Sequence, residues 1–155
     1  MPAIVSRVIE VCIFRRQQGL PQYLLLRRSE KDSLYPGVWQ LVTGSVHEGE
    51  RAVDAAKREV VEETGMNVAR FWVVPLVNSF YVPVNDTVHM SPIFAAEVDP
   101  ASIVRLSHEH QELRWCSLVD AYETLVWPAH RAAVQLVHEY IAGGKEASRL
   151  LSLNI

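Results

Sequence analysis

Residues 44–66 read GSVHEGERAVDAAKREVVEETGM, and this stretch decides how the rest of the chain is understood. Ala52, Val53, Ala56 and Val60 recur at helical spacing, so a helix is expected from Arg51 to Thr64. Gly65 stands where a left-handed C-terminal cap belongs. Glu59, Glu62 and Glu63 fall at i, i+3 and i+4, on one face of that helix. Like charges so spaced destabilise an isolated helix by a few tenths of a kcal/mol per pair. They also crowd the last turn, where the helix dipole favours cations. Such a face is either solvated, with Lys57 and Arg58 as partial neutralisers, or holds a hard divalent cation, which takes oxygen ligands and is often shared with phosphates. Gly44 and Gly49 let backbone approach a metal or phosphate closely. Glu50 and Arg58, two helical turns apart, can hold one another's orientation.

Outward from the helix, the chain reads as strands. Ile4 to Phe14 is rich in β-branched and aromatic residues, and Gln22 to Arg28 follows after the turn Gln17–Pro21, so a hairpin is expected. Ser29 to Gly37 is a polar loop, and Val38 to Thr43 a short strand. Strands are expected over Asn67–Val82 and Thr87–Val98, joined by Pro83–Asp86. A loop over Asp99–Gln111 leads to a last strand, Glu112–Ser117. A short helix over Leu118–Leu125 precedes a final one from Pro128 to Ala142, stopped by Gly143-Gly144. The order predicts one α/β domain over residues 1–155, a mixed sheet between helices.

Composition narrows the function. The chain has 155 residues, 49% of them hydrophobic, and a net charge of −3, which argues against disorder and against general nucleic-acid binding. Residues 47–63 carry six acids and three bases, so the whole excess lies in the loop and helix quoted above. Cys12 and Cys116 cannot form a disulfide framework or a four-cysteine zinc site and read as buried small hydrophobes. No apolar run approaches the length of a membrane span, and the N-terminus lacks a signal-peptide layout. A cytoplasmic protein without membrane or nucleic-acid partners is expected, acting on a small molecule, with a homodimer as a possible assembly.

The spacing from Gly44 to Met66 is Gly, five residues, Glu, seven residues, Arg-Glu, an aliphatic residue, any residue, Glu-Glu, any residue, Gly, an aliphatic residue. This resembles the signature of the Nudix hydrolases at all nine specified positions, with a chance agreement on the order of 10⁻⁹ at a given start. The resemblance implies a Nudix-type α/β/α sandwich and water attack on phosphorus in a diphosphate linkage. It implies Mg²⁺ or Mn²⁺ held by Glu59, Glu62 and Glu63, with the Gly44 carbonyl completing the site and Arg58 and Glu50 orienting the ligands. The base is either a box glutamate or one from a later loop. Glu109, in Ser107-His108-Glu109-His110, is the later candidate, as ligand or base, with Glu112 its competitor. His108 and His110 read as exposed loop histidines that can contact phosphate.

Substrate is less marked. Trp39 to Val46 and the Glu109-His110 to Trp115 spacing are similar to the dihydroneopterin triphosphate pyrophosphatase branch, which implies a pterin or nucleoside polyphosphate. Trp39 could stack on a flat ring, with Gln40 beside it, or belong to the core. Arg27 and Arg28 could meet phosphates or lie on a solvated edge. Tyr81 and Pro83 both fall where branches acting on ADP-ribose and on diadenosine polyphosphates carry their markers, so neither branch is singled out. A non-catalytic nucleotide-binding module would normally lose box glutamates, and all are kept. An isopentenyl diphosphate isomerase needs a placed cysteine, which Cys12 and Cys116, in expected strands, do not supply.

Overall fold

The strand that organises the molecule is β2, Val8–Gln17. Ile9, Val11 and Ile13 point to one side and Cys12 and Phe14 to the other, and all five are at most 1% exposed. A strand buried on both faces has no polar alternation, which is why this segment reads as a nearly continuous apolar run. In the computed structural model, which describes residues 1–154, β2 is central to a nine-stranded mixed sheet.

β2 runs antiparallel to β3 (Leu20–Arg28) through a two-residue turn, with Gln18 at φ 52° and Gly19 at φ 79°. Positive φ at both positions matches the right-handed twist of the flanking strands. On its other side β2 pairs parallel with β7 (Thr87–Glu97), which pairs antiparallel with β6 (Arg70–Val82). One sheet face carries α1 (Ala52–Thr64), whose Ala55, Ala56 and Val60 pack on Ile9, Val11 and Phe71. The other carries α2 (Leu118–Thr124) and α3 (Pro128–Leu136), with Ala121, Leu125, Ala133 and Val134 packed on Phe14, Tyr23 and Trp72. This is the α/β/α arrangement expected from the sequence. Among the described residues no helix is long and apolar enough to cross a membrane.

Several boundaries differ from expectation. The first expected strand is two: β1 (Ala3–Val5), parallel to the start of β7, and β2. Val38–Thr43 is likewise split. Trp39–Gln40 (β4) pairs with β3, while Val42–Ser45 (β5) pairs with β2. Leu41 lies between them, fully buried, and its N–H leaves the ladder to donate to His130 Nδ1 at 3.3 Å. β6 begins at Arg70, three residues later than expected, and β8 (His110–Cys116) begins two residues earlier. The last expected helix is α-helical only to Leu136 and continues as a π turn over Val137–Ala142. Beyond Gly144, where no element is expected, α4 (Glu146–Leu151) and β9 (Ser152–Leu153) close the edge of β6. Trp72 secures them by donating from Nε1 to the Ser148 carbonyl at 2.9 Å.

Candidate active site

α1 carries the conspicuous carboxylates to two different depths. Glu59 and Glu63 are 7% and 3% exposed, turned inward with Val60 and Thr64, whereas Glu62 is exposed. The helix can end here because Gly65 takes φ 70° and donates its N–H to the Val61 carbonyl at 2.8 Å. The next turn of chain is then sent across toward residues 104–107, where Arg105 N–H donates to the Thr64 carbonyl at 2.8 Å.

Arg58 ties the box together. Its Nε and Nη2 donate to the two oxygens of Glu50, each at 2.9 Å, and Nη2 also reaches the Ser45 carbonyl at 2.8 Å. Nη1 donates to Glu59 Oε1 at 2.7 Å and to Glu62 Oε2 at 3.0 Å. One planar fork thus fixes loop and helix relative to each other, which a lysine's single ammonium could not do. The Arg58 hydrogen bonds, and then the His47 N–H, hold the Glu50 carboxyl at about 2. Burial outweighs Arg58 at Glu59 and pushes that carboxyl above the usual range.

Gly44 explains why this position tolerates no side chain. A Cβ built there would lie 2.1 Å from Glu59 Cδ, so the buried carboxyl is packed directly against the β5 backbone.

The loop before β8 meets the same helix. Ser107 Oγ donates to Glu63 Oε2 at 3.1 Å, and His110 Nδ1 lies 2.5 Å from the same oxygen. Burial pushes the Glu63 carboxyl up, but the His110 contact outweighs it and the net displacement is downward. Glu109 is exposed overall, and its N–H faces Ser107 Oγ, the hydroxyl that donates to Glu63. Partial burial of the Glu109 carboxyl, followed by the Glu63 charge, pushes it up, with a smaller push from Glu59. Glu59, Glu63 and Glu109 are therefore linked through their charges, and Glu59 is the one packed on Gly44. The expectation that His110 is an exposed loop residue is corrected: it is 6% exposed and pinned on Glu63, because β8 starts at His110 and turns the ring inward. His108 is exposed as expected.

The other residues singled out in the sequence lie apart from this set. Arg27 donates to the Gly37 carbonyl at 3.0 Å, Glu30 Oε1 at 3.0 Å and Glu112 Oε2 at 3.3 Å. Arg28 donates to the Leu34 carbonyl at 2.9 Å and pairs with Asp32. Both arginines thus brace the Ser29–Gly37 loop, and Glu112, the competitor to Glu109, belongs to that network. Trp39 packs against the core on the α3 face, with the Arg114 guanidinium 4.7 Å from its ring centre. Gln40 is buried and pairs with Leu26. Cys12 and Cys116 are free and buried, as expected.

A divalent cation fits what is here. The donors are all oxygens, two of the carboxyls are buried, and the Glu63 charge acts on Glu109. Among the described residues no three His, Cys, Asp or Glu side chains form a ready-made cage, and Arg58 occupies one oxygen of Glu59. That suits an ion that keeps waters and completes its shell with substrate better than one enclosed by protein.

Comparison with known proteins agrees with this geometry. The family model described as NUDIX domain matches residues 6–137. The chain is 28% identical over 146 residues to the mouse asymmetrical bis(5'-nucleosyl)-tetraphosphatase, covering 87% of this chain and 95% of that protein. It is 29% identical to an octanoyltransferase of Myxococcus xanthus, covering 83% of this chain but spanning only 36% of that protein's length. A 65-residue stretch is 38% identical to the Escherichia coli dihydroneopterin triphosphate diphosphatase, 42% of this chain and 41% of that one. Among solved structures, the Caenorhabditis elegans Ap4A hydrolase binary complex superposes with a TM-score of 0.73 at 25% identity, covering 90% of this chain and 98% of that one. Fold, box and likenesses define a hydrolase acting on phosphoric anhydrides. The chain belongs to the NUDIX domain family.

Proposed function

We propose that the chain is a pyrophosphohydrolase dependent on Mg²⁺ or Mn²⁺ that cleaves a diphosphate linkage in a nucleoside or pterin polyphosphate. The packing of buried Glu59 on the bare backbone of Gly44, with Glu63 and Glu109 acting on one another's charge nearby, carries this reading. Those carboxylates, with exposed Glu62 and the Gly44 carbonyl, would hold the ion. When bound, the ion supplies charge neutralisation at the phosphate oxygens and a more acidic water. Arg58 keeps Glu59 and Glu62 oriented, while His110 and Ser107 orient Glu63. Attack of water on phosphorus releases a proton that a carboxylate must take. Glu109 is the base favoured here, because it alone of the linked set is exposed and so accessible to both water and substrate.

Likeness over nearly the whole length of the mouse tetraphosphatase supports a dinucleoside polyphosphate as substrate. The shorter, closer stretch shared with the Escherichia coli enzyme supports a pterin triphosphate as the second reading. Arg27 and Arg28 act in either case by holding the Ser29–Gly37 loop, with Trp39 and Gln40 on the short strand β4 beside it. The test is a panel of dinucleoside tetraphosphates, dihydroneopterin triphosphate, nucleoside triphosphates and ADP-ribose, assayed with Mg²⁺, Mn²⁺ or chelator. Metal-dependent release of phosphate, pyrophosphate or nucleotide from one class, at a kcat/KM well above the rest, is expected. No hydrolysis of any of them with either metal would overturn the reading.

A further inference from the structure

β8 breaks its own alternation beside the candidate base. Leu113 and Trp115 pack with the cluster under α1, while Arg114 lies over Trp39 and Cys116 joins the cluster on the α3 face. Side chains along a strand alternate with period two. Unbroken pairing would therefore send Glu112 to the α3 face, Gln111 to the α1 face and His110 to the α3 face, away from Glu63. The register is not unbroken. Arg27 pairs with Glu112 and Arg28 with His110, so one step along β3 meets two along β8, and Gln111 is the extra residue of a bulge. That one residue returns the His110 ring to the α1 face, where it is buried against Glu63.

The bulge is fastened by the loop that precedes β4. Gln111 Oε1 accepts the Glu30 N–H at 2.9 Å, and the Ser29 N–H donates to the Glu109 carbonyl at 2.9 Å. Two successive amides of the Ser29–Gly37 loop thus grip the two residues that flank His110. That loop is itself braced by Arg27 and Arg28. From the other side, the His110 N–H donates to the Ser107 carbonyl at 3.3 Å, and the Glu109 N–H faces Ser107 Oγ at 3.4 Å. Glu109 is exposed, so its carboxyl takes its place from the backbone that carries it.

We propose that Gln111 is a positioning residue: its place in the bulge and its bond to the Glu30 N–H fix the backbone that holds Glu109 and His110 beside Glu63. Bulges next to active sites re-aim side chains in this way. Gln111 acts through Glu109 and His110. The proposal rests on the reading of Glu109 as base or ligand, and the placement itself is read without any hydrolysis.

The test compares wild type, Gln111→Leu and Gln111→Glu by amide hydrogen exchange and by steady-state kinetics. Leucine removes the acceptor, whereas glutamate keeps an oxygen at the same reach. Gln111→Leu is expected to speed exchange at Ser29 and His110 by about fivefold, the worth of one hydrogen bond, with the β2 amides and the melting temperature unchanged. Both amides keep their own acceptors in that variant, so faster exchange there reports movement of the loop. On the substrate that the wild type hydrolyses best, kcat is expected to fall about tenfold with KM within about twofold. Gln111→Glu is expected to recover both readouts. Unchanged exchange at Ser29 and His110 in Gln111→Leu would overturn the proposal, as would exchange that speeds equally throughout β2. So would an unchanged kcat in an active enzyme, or a Gln111→Glu protein as impaired as Gln111→Leu. A wild type that hydrolyses nothing, with the two amides still loosened in Gln111→Leu alone, would refute the activity and leave the placement standing.

Discussion

Two buried glutamates on opposite faces of one sheet are treated in opposite ways. Glu59 receives Arg58, which also spreads its donors over Glu50, Glu62 and the Ser45 carbonyl. Glu10 receives the Asn78 amide on one oxygen, and the His130 ring stands 3.4 Å from the other. On the α1 face one guanidinium holds three carboxylates in place before any ligand arrives, as a reaction that depends on positioning requires. On the α3 face Glu10 is met by Asn78 and His130 alone among the described residues, with no guanidinium fork.

The sharpest break in this comparison comes from removing charge on the α1 face. Glu59→Gln and Glu63→Gln are each expected to lower metal-dependent kcat/KM by at least about a hundredfold. Glu59→Gln should nonetheless melt no lower than the wild type at neutral pH. Burial raises the Glu59 carboxyl in the fold, so its ionised form is the disfavoured one there and a neutral amide loses nothing. Steady-state kinetics beside thermal melting checks both halves.

Gly44→Ala attacks the same face by shape rather than charge. The new Cβ would fall 2.1 Å from Glu59 Cδ, so either β5 or the helix must shift. A loss of about tenfold to a hundredfold in kcat is expected, since small misplacements of positioned groups have effects of that order. Next is Arg58→Ala, which strands Glu59 beside Glu63. Because Arg58 is itself partly exposed, a destabilisation of about 1–2 kcal/mol is expected by denaturant titration. Arg58→Lys should recover only part of it, lacking the fork. Glu10→Gln, by contrast, is expected to leave stability nearly unchanged, since an amide keeps the oxygen that Asn78 bonds, and the difference between these two variants is what the comparison stands on.

The smallest effect concerns pH. The Glu50 carboxyl titrates at about 2 in the fold against an ordinary 4.5, so it contributes stability above pH 4.5 that is lost as pH falls toward 2. The melting-temperature gap between wild type and Glu50→Gln should therefore be constant at neutral pH and close progressively below pH 4.5. A gap that widened on acidification would contradict the Arg58–Glu50 assignment.

The α1 face was legible in the sequence because its spacing is helical and local. Gly44, Glu50, Arg58, Glu59, Glu62 and Glu63 lie within 23 residues, and the fold adds only depth to what the pattern states. His110 was misjudged because its burial depends on where β8 starts, and a two-residue shift of that boundary turns the ring from solvent onto Glu63. The surroundings of Glu10 had no signature at all. Asn78 and His130 come from β6 and α3, up to 120 residues away, and only the fold brings them together. Glu10 itself stands in an apolar run, where a lone acid is easily passed over. The split of Val38–Thr43 into two strands was invisible for the same reason, since the Leu41 N–H leaves the ladder for a histidine 89 residues away.

The central claim is that the Glu59, Glu63 and Glu109 cluster hydrolyses a phosphoric anhydride with a divalent ion. It is tested most directly by following product release from a dinucleoside tetraphosphate and from dihydroneopterin triphosphate, with Mg²⁺ or Mn²⁺, by wild-type and Glu63→Gln protein of equal melting temperature. The account predicts turnover by the wild type that chelator abolishes and that falls at least about a hundredfold in the variant. Equal turnover by the two proteins, or turnover indifferent to chelator, would contradict it.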